Sequence, residues 1–341
     1  MTQVLAVPPL RQTWRNLVFL LALPIALIAT SGQQLQPGSQ TRTLQVPGGE
    51  IEVTLPDEPM ALSSADLLTW VKNCAGAVAA YYGRFPVDHL ILRIRAGSGS
   101  RVGHGVTYPT RGGLILITVG REATTQALAG DWVLTHEMIH LAFPSMADEH
   151  HWIEEGLSTY VEPVARAQAG QLPVDEVWKQ FIRLMPQGQP GAGDDGLDHT
   201  HTWGRTYWGG AMFCLVADVR IRERTKNRKG LQDALRAIVG NGGVISEDWE
   251  IGRALAIGDK ATGTGVLQEL YRQMRDKPFP VDLDQLWNNL GLALVDGAVT
   301  FNDKAPEATI RRAITSGSQK RGARKERLMS PRSNSYLSGE N

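Results

Sequence analysis

The chain has 341 residues, of which 42% are hydrophobic, and its 35 basic and 35 acidic side chains give a formal net charge of zero. This length is enough for one large domain or two smaller ones, and the balanced charge argues against a nucleic-acid partner. Cys74 and Cys214 are the only cysteines, which excludes a disulfide framework and a cysteine-based metal site. Both lie in apolar segments, so we expect two buried free thiols, with a single disulfide as the alternative.

Residues 1–31 differ in kind from the rest of the chain. Arg11 and Arg15 precede thirteen largely apolar residues, Leu17–Ala29, and small residues follow them. A basic start, an apolar core of this length and small residues after it are typical of a secretory signal peptide. An uncleaved membrane anchor is the alternative, although the apolar segment is short for a span and contains Pro24. The sequence therefore predicts an exported protein, periplasmic or secreted, and leaves membrane association through the N-terminal segment open.

Residues 41–125 are predicted to form an α/β part. Residues 41–55 alternate in polarity around a Pro-Gly-Gly turn, which is the pattern of a β-hairpin. Residues 64–83 are predicted to form a helix, with Ser64 as its N-cap and Gly83 at its end. Two short strands are predicted next.

These two strands run from His89 to Ile94 and from Leu114 to Val119, and they consist mainly of aliphatic residues. A stretch rich in glycine and serine, residues 97–113, separates them and is predicted to be a loop. The strands therefore belong to one small sheet.

Beyond residue 122 the chain is predicted to be mainly helical, with a central part over residues 126–240 and a C-terminal part over residues 241–312. The apolar residues of the C-terminal part follow a helical spacing: Leu267, Leu270, Tyr271, Met274, Leu286, Leu290 and Leu292. Residues 313–341 are rich in Ser, Gly, Lys and Arg. With so little to bury, they are predicted to form a disordered basic tail.

The central part contains a His-Glu-Met-Ile-His segment, residues 136–140. On a helix, His136 and His140 lie one turn apart on the same face, so both imidazoles can reach one metal ion. The flanking residues are apolar nearly all round the helix: Trp132, Val133, Leu134, Met138, Ile139, Leu141 and Phe143. This pattern predicts a buried helix, in which unpaired histidines would be costly. It therefore favours a metal site over histidines that are merely exposed or capping.

A second predicted helix, Trp152–Tyr160, adds Glu155 as a third ligand. Two histidines and one carboxylate leave a coordination position open for water, which is the pattern of a catalytic zinc, whereas structural zinc is closed by four ligands. Such a site lowers the pKa of a bound water toward about 7. Glu137, next to the first ligand, can then accept the proton of that water as a general base. The sequence predicts one Zn²⁺ held by His136, His140 and Glu155.

Comparison with zinc hydrolase families narrows the type of site. Metzincins place a histidine where this chain has Met146, and thermolysin-type sequences place an aspartate where it has Thr159. The segment from Trp152 to Glu162 instead resembles the ligand helix of the aminopeptidase N and glycyl aminopeptidase families, which are gluzincins. The resemblance covers residues 131–240 well and the rest only in outline. It implies an α+β fold: a thermolysin-like zincin catalytic core with a small mixed sheet, the HExxH helix and a helical C-terminal part.

The resemblance also implies a role for Tyr207. The run Tyr207–Met212 resembles the Tyr-x-Lys-Gly-Ala segment of those families, whose tyrosine stabilises the oxyanion. An aromatic residue between Trp203, Trp208 and Phe213 can also be an ordinary core residue, which is the alternative for Tyr207.

Two departures limit what the resemblance implies. The chain has no Gly-x-Met-Glu-Asn segment, whose glutamate holds the free amino terminus of the substrate in aminopeptidase N, and Gly209 replaces the lysine of the tyrosine segment. Exopeptidase specificity therefore cannot be transferred. In these folds an edge strand beside the zinc pairs with the substrate backbone, and residues 112–119 are the candidate for it, with an interior strand as the alternative.

Together these observations predict an exported zinc-dependent peptidase acting on a peptide or protein substrate, with Glu137 as general base and Tyr207 as oxyanion stabiliser. Two alternatives remain. One is a binding protein that keeps a zincin fold without hydrolysis, and the other is a zinc hydrolase of a non-peptide substrate such as a cell-wall amide. An intact Glu137 argues against the first, and the residues do not distinguish the second.

Overall fold

A computed structural model describes residues 40–316, so the predicted signal peptide or anchor and nearly all of the predicted basic tail lie outside the described residues. These residues form one compact unit with an α+β architecture. None of the helices in this part of the chain is long and apolar enough to cross a bilayer.

A five-stranded mixed sheet forms the N-terminal part. Its strands are β1 (Thr41–Val46), β2 (Gly49–Thr54), β3 (His89–Gly97), β4 (Val102–Tyr108) and β5 (Leu114–Gly120). Their order across the sheet is β1-β2-β3-β5-β4. The β1–β2 and β4–β5 pairs are antiparallel, and β2–β3 and β3–β5 are parallel. The predicted hairpin, the two predicted strands and the mixed sheet are thus confirmed.

The predicted loop 97–113 is wrong in part, because it contains β4. This strand has glycine at positions 103 and 105 and buries only Gly105, so it lacks the alternating apolar pattern that identifies β3 and β5. Its pairing with β5 makes β4 the edge of the sheet and β5 an interior strand. The candidate edge strand over residues 112–119 is therefore wrong, and its alternative as an interior strand is correct.

The first helix lies between β2 and β3 in the chain, and the other helices follow the five strands of the sheet. They are α1 (Ser64–Tyr82), α2 (Thr125–Ala129), α3 (Val133–His140), α4 (His151–Gln168), α5 (Val174–Leu184), α6 (Gly210–Arg224), α7 (Leu231–Gly240), α8 (Ile251–Thr262), α9 (Val266–Met274), α10 (Leu283–Leu290) and α11 (Ala308–Thr315). A π-helix, Gly204–Gly209, leads directly into α6. The prediction of a mainly helical chain beyond residue 122 is confirmed.

Helix α1 begins at Ser64 as predicted, but its N-cap lies one residue earlier than predicted. Ser63, not Ser64, is the N-cap: its hydroxyl accepts a hydrogen bond from the backbone N–H of Asp66, and the Asp66 carboxylate accepts one from the backbone N–H of Ser63. This reciprocal pair is a capping box. The helix ends at Gly83 as predicted.

Two details near the C-terminus also differ from the prediction. Leu292 was predicted to be helical but begins β6 (Leu292–Val295), which forms a separate antiparallel hairpin with β7 (Ala298–Phe301). Helix α11 continues to Thr315, so the first three residues of the predicted tail are ordered, and Ile314 is buried in the core.

The core is continuous between the sheet and the helices that carry the predicted ligands. The buried residues of β3 and β5, such as Leu92 and Ile117, belong to the same apolar cluster as Met138 of α3 and Leu157 of α4. Cys74 and Cys214 are both buried and free, as expected, and burial raises the pKa of the Cys74 thiol to about 12. The two ligand helices therefore rest on a packed interior.

Candidate metal centre

The start of α3 is held by a buried carboxylate. Asp131 accepts hydrogen bonds from the backbone N–H groups of Val133 and Leu134, at 3.0 and 3.1 Å. Arg166 of α4 donates to the backbone carbonyl of Ala129, just before this carboxylate, and to Glu162 at 2.8 Å. Backbone donors at a helix start need such acceptors. The Arg166 bond thus connects α4 to the end of α2, the segment that leads into α3.

Helices α3 and α4 bring the three predicted ligands together. The Nε2 atom of His136 lies 3.1 Å from Oε2 of Glu155, and Nε2 of His140 lies 3.7 Å from the same oxygen. One donor atom from each of the three residues lies within 4.8 Å of the others. The second ring nitrogen of His140, Nδ1, lies 3.2 Å from the Ser158 hydroxyl, which leaves Nε2 directed to the site.

The ionisation of these groups fits a zinc ion. Burial, followed by the neighbouring His136 ring, lowers the pKa of His140 to about 3, so its imidazole is neutral at physiological pH. Burial opposes the charge of Glu155, but the His136 hydrogen bond and the nearby imidazoles outweigh it and lower the pKa of that carboxyl to about 2. Neutral imidazoles and an ionised carboxylate are the forms that ligate zinc. The donor set is that of a catalytic zinc site with an open position.

Glu137 lies in the same cleft and is held by the edge strand. The Thr107 hydroxyl of β4 lies 2.6 Å from Oε2 of Glu137 and donates a hydrogen bond to it. Burial raises the pKa of Glu137, and the Thr107 hydrogen bond partly offsets this rise. A Cβ atom at Gly105 would lie 2.7 Å from Cγ of Glu137, so only glycine lets β4 pass this close. Thr107 was not identified from the sequence, because it contacts Glu137 only through the unpredicted strand.

Tyr207 lies on the π-helix and faces the ligand residues. Its ring stacks at 6.5 Å, centroid to centroid, against that of His136. Burial, then the negative charges of Glu155 and Glu137, raise the pKa of its phenol. The hydroxyl therefore keeps its proton at neutral pH and can donate a hydrogen bond. π-Helical turns occur frequently at functional sites, and this one places the predicted oxyanion donor beside the predicted metal.

A glycine pair sets the distance between Glu155 and Tyr207. A Cβ atom at Gly156 would lie 2.3 Å from the carbonyl carbon of Gly210, and one at Gly210 would lie 2.1 Å from the backbone oxygen of Trp152. The backbones of α4 and α6 thus touch directly. Because Glu155 precedes one glycine and Tyr207 lies three residues before the other, this contact brings both side chains into the same cleft.

The cleft has a volume of about 560 Å³ and is lined by β4, α3, the first turn of α4 and Tyr207. His104 and His151 also line it, and Nε2 of His151 lies 3.5 Å from Oε1 of Glu155. A larger depression of about 890 Å³ lies between α1, the end of α4 and α11, and contains none of the predicted site residues.

Trp132 departs from the expectation of a fully buried α3. Its side chain is 53% exposed, whereas Leu134, Met138 and Ile139 are buried as expected. The apolar residues around α3 therefore face two surroundings, the core and the cleft. The sequence showed that Trp132 is apolar but not which of the two it faces.

No protein-family model and no curated protein sequence matches the chain. Its fold is similar to that of an aminopeptidase N family protein from Idiomarina loihiensis, with a TM-score of 0.56 and 11% identity, over 79% of this chain and 53% of that one. The fold is aminopeptidase N-like. The expected zincin core is thereby confirmed.

Two further structures align less completely with this chain. The M1 zinc metallopeptidase from Deinococcus radiodurans gives a TM-score of 0.46 and 14% identity, over 71% of this chain and 53% of that one. A variant of that enzyme bound to the substrate Tyr-Ser-Ala gives 0.45 and 12%, with the same coverage. The chain spans about half the length of the structures it matches.

Proposed function

We propose that the protein is a zinc-dependent peptidase that hydrolyses peptide bonds, with His136, His140 and Glu155 as metal ligands. The observation that carries this proposal is the convergence of these three donors, of which His136 and Glu155 are buried and His140 is partly buried, beside Glu137, which is itself held by Thr107. A zinc ion bound there would act as a Lewis acid that activates a water molecule and polarises the substrate carbonyl. The neutral His140 imidazole and the ionised Glu155 carboxylate are already in the forms that ligate zinc.

Glu137 is the proposed general base. Thr107 occupies its Oε2 atom, so Oε1 is the oxygen that accepts a proton from the attacking water and later returns it to the leaving amine. Burial raises the pKa of this carboxyl, and a base works best when its pKa lies nearer the operating pH. The partial burial of Glu137 therefore suits it to proton transfer rather than to binding the metal.

Tyr207 is the proposed oxyanion donor. Its protonated hydroxyl belongs to the same cleft as Glu137 and Glu155, which supports a role as donor to the carbonyl oxygen that gains charge. One such donor contributes about 3–4 kcal/mol to the stability of the transition state. A binding protein with the same fold would not need a general base, so the presence of Glu137 favours hydrolysis. From the sequence of residues 1–31 alone, we further propose that the protein is exported, with membrane association through that segment as the alternative.

The test compares the wild type with Glu137→Gln on a mixed peptide library, with cleavage followed by mass spectrometry and zinc measured by elemental analysis. We expect the wild type to bind one zinc per chain and to cleave. We expect Glu137→Gln to keep the zinc and to lose about 10²–10⁴-fold in rate. Glu122→Gln, at an exposed position outside the cleft, is the matched control and should not change the rate.

A zinc-loaded wild type that cleaves no peptide and no protein would contradict the proposal. Hydrolysis of a cell-wall amide by that same zinc protein, with loss on Glu137→Gln, would instead establish the non-peptide alternative. The cleavage positions in the library also distinguish removal of terminal residues from internal cleavage.

A further inference from the structure

Two tryptophan side chains are exposed beside the metal centre. Trp132 is 53% exposed and Trp203 is 59% exposed, and they have the largest exposed fractions among the large hydrophobic residues of the described chain, residues 40–316. An indole exposes a large apolar surface to water at a cost in free energy, so exposed tryptophans commonly mark binding surfaces. Neither residue has a role in the mechanism proposed above.

The two indoles are joined to the centre by ring contacts. Trp132 lies edge-on to His136 at 5.5 Å, and Trp203 stacks on Tyr207 at 5.7 Å. Since Tyr207 itself stacks on His136, these four rings form a continuous aromatic row. Each tryptophan lies four residues before the site residue that it contacts, at the N-cap of the helix that carries that residue. Trp132, His136 and Tyr207 line the cleft, and Trp203 joins the row through its contact with Tyr207.

The charges of the cleft define which substrate group suits this row. Among residues 40–316, no lysine or arginine lines the cleft, so an acidic substrate side chain would find no basic side chain to pair with there. Besides Glu137 and Glu155, the lining includes Glu154, whose carboxylate is engaged by the backbone N–H of Met146 and by His151, both at 3.3 Å. A neutral apolar side chain of the substrate carries no charge that needs a partner, so the aromatic row can shield it from water.

We propose that Trp132 and Trp203 form a subsite for a large apolar side chain, aromatic or aliphatic, next to the scissile bond of a peptide substrate. This inference rests on the proposed peptidase function and specifies its substrate class. The exposed indole faces are already ordered by their ring contacts, so little side-chain freedom is lost when the substrate binds. Burial of the substrate side chain then favours peptides that carry Phe or Leu at that position.

The first experiment uses peptides that share the bond identified by the library digest and differ at one flanking residue, which is Phe, Leu, Ala or Glu. For the wild type we expect kcat/KM to be highest with Phe or Leu. Trp132→Ala and Trp203→Ala should each lower kcat/KM by about 10-fold or more for those two peptides and only slightly for Ala, as expected when apolar contact is removed from a pocket. Phe301→Ala, at a 44% exposed aromatic residue outside the cleft, is the matched control.

The second experiment measures binding without turnover. In the Glu137→Gln background, titration with the Phe peptide should change tryptophan fluorescence, and Trp132→Phe and Trp203→Phe should keep binding but reduce this signal. Zinc content is measured for every variant, because rings that merely shield His136 and Tyr207 would lower zinc affinity and the rate on all peptides alike.

Uniform loss on all peptides, or unchanged preference in both alanine variants, would overturn the inference. Quenching by a soluble glycan fragment but not by the Phe peptide would also overturn it, in favour of a sugar-binding surface. If the wild type cleaves no peptide at all, the proposed function fails. If it cleaves but is indifferent to the flanking residue, only the subsite fails.

Discussion

The ligand helices α3 and α4 and the edge strand β4 line the same cleft but are built in opposite ways. The helices are mostly buried, and α4 touches α6 backbone to backbone at Gly156 and Gly210. Strand β4 buries only Gly105 and pairs on one side alone. The helices that carry the proposed metal ligands are therefore closely packed, whereas the strand that carries Thr107 is packed on few sides. The geometry of the proposed metal ligands should therefore depend on packing, and the position of Glu137, the proposed general base, on its hydrogen bond from Thr107.

The largest expected effect concerns the backbone contact between α4 and α6. Gly156→Ala places a methyl group 2.3 Å from the Gly210 carbonyl carbon, so α4 and α6 must move apart. Such overpacking costs about 1–3 kcal/mol of unfolding free energy, and we expect zinc affinity to fall with it because Glu155 is displaced. Denaturant unfolding and zinc titration measure the two effects.

The matched control for this change is Gly76→Ala in the middle of α1. A Cβ atom there would have no neighbour within 4 Å, so the substitution should stabilise the helix by about 0.5–1 kcal/mol. If Gly156→Ala left both stability and zinc affinity intact, the backbone contact would not be what positions Glu155.

A smaller effect is expected on the strand side. Thr107→Val keeps the shape of the side chain but removes the hydroxyl that donates to Glu137. A hydrogen bond to a charged group contributes about 1.5–3 kcal/mol, so we expect at least about a 10-fold fall in kcat with little change in zinc content. Because this bond lowers the pKa of Glu137, its loss should also move the acidic limb of the pH–rate profile to higher pH.

Thr107→Ser keeps the hydroxyl and should restore both the rate and the pH profile. A serine variant as impaired as the valine variant would show that packing of the Thr107 methyl group, rather than its hydrogen bond, supports Glu137.

The smallest effect concerns the metal-free protein. Because the folded pKa of His140 is about 3 and its ordinary value is 6.5, the folded state binds fewer protons than the unfolded chain between these values. The stability contribution of His140 is therefore fully present above pH 6.5 and is lost as the pH falls, with a slope that approaches about 1.4 kcal/mol per pH unit. Unfolding in chelator at pH 7, 6 and 5 measures this loss.

His140→Gln removes this titration while Glu162, whose pKa burial raises to about 6, titrates in both proteins. The difference between the two unfolding curves therefore isolates His140. Parallel loss of stability in wild type and variant would show that His140 is readily protonated in the folded state.

The contrast between the packed ligand helices and strand β4 also explains which parts of the structure could be predicted from the sequence. Helices α1, α3 and α4, strands β3 and β5 and the three converging ligands follow from local patterns: apolar periodicity, caps and the spacing of His136, His140 and Glu155. Strand β4 has no such pattern. It exists because β5 offers it a partner, and the contact of Thr107 with Glu137 joins residues thirty positions apart.

The exposure of Trp132 and Trp203 was unpredictable for a related reason. Sequence identifies an apolar residue, but only the packed structure shows whether core or solvent lies above it. Likewise, Leu292 continues an apolar spacing that suits a helix, yet Gly291 ends α10 and the next residues pair with β7.

The number of residues in the π-helix before α6 affects the geometry of the proposed active site. A π-turn holds one more residue than an α-turn, and each residue of an α-helix rotates the next side chain by about 100°. Deleting a single residue between Gly204 and Gly209 would let α6 continue as a regular helix, but it would rotate the Tyr207 ring out of its contact with the His136 ring. The additional residue of the π-helix thus acts as a spacer, and this effect does not depend on its side chain.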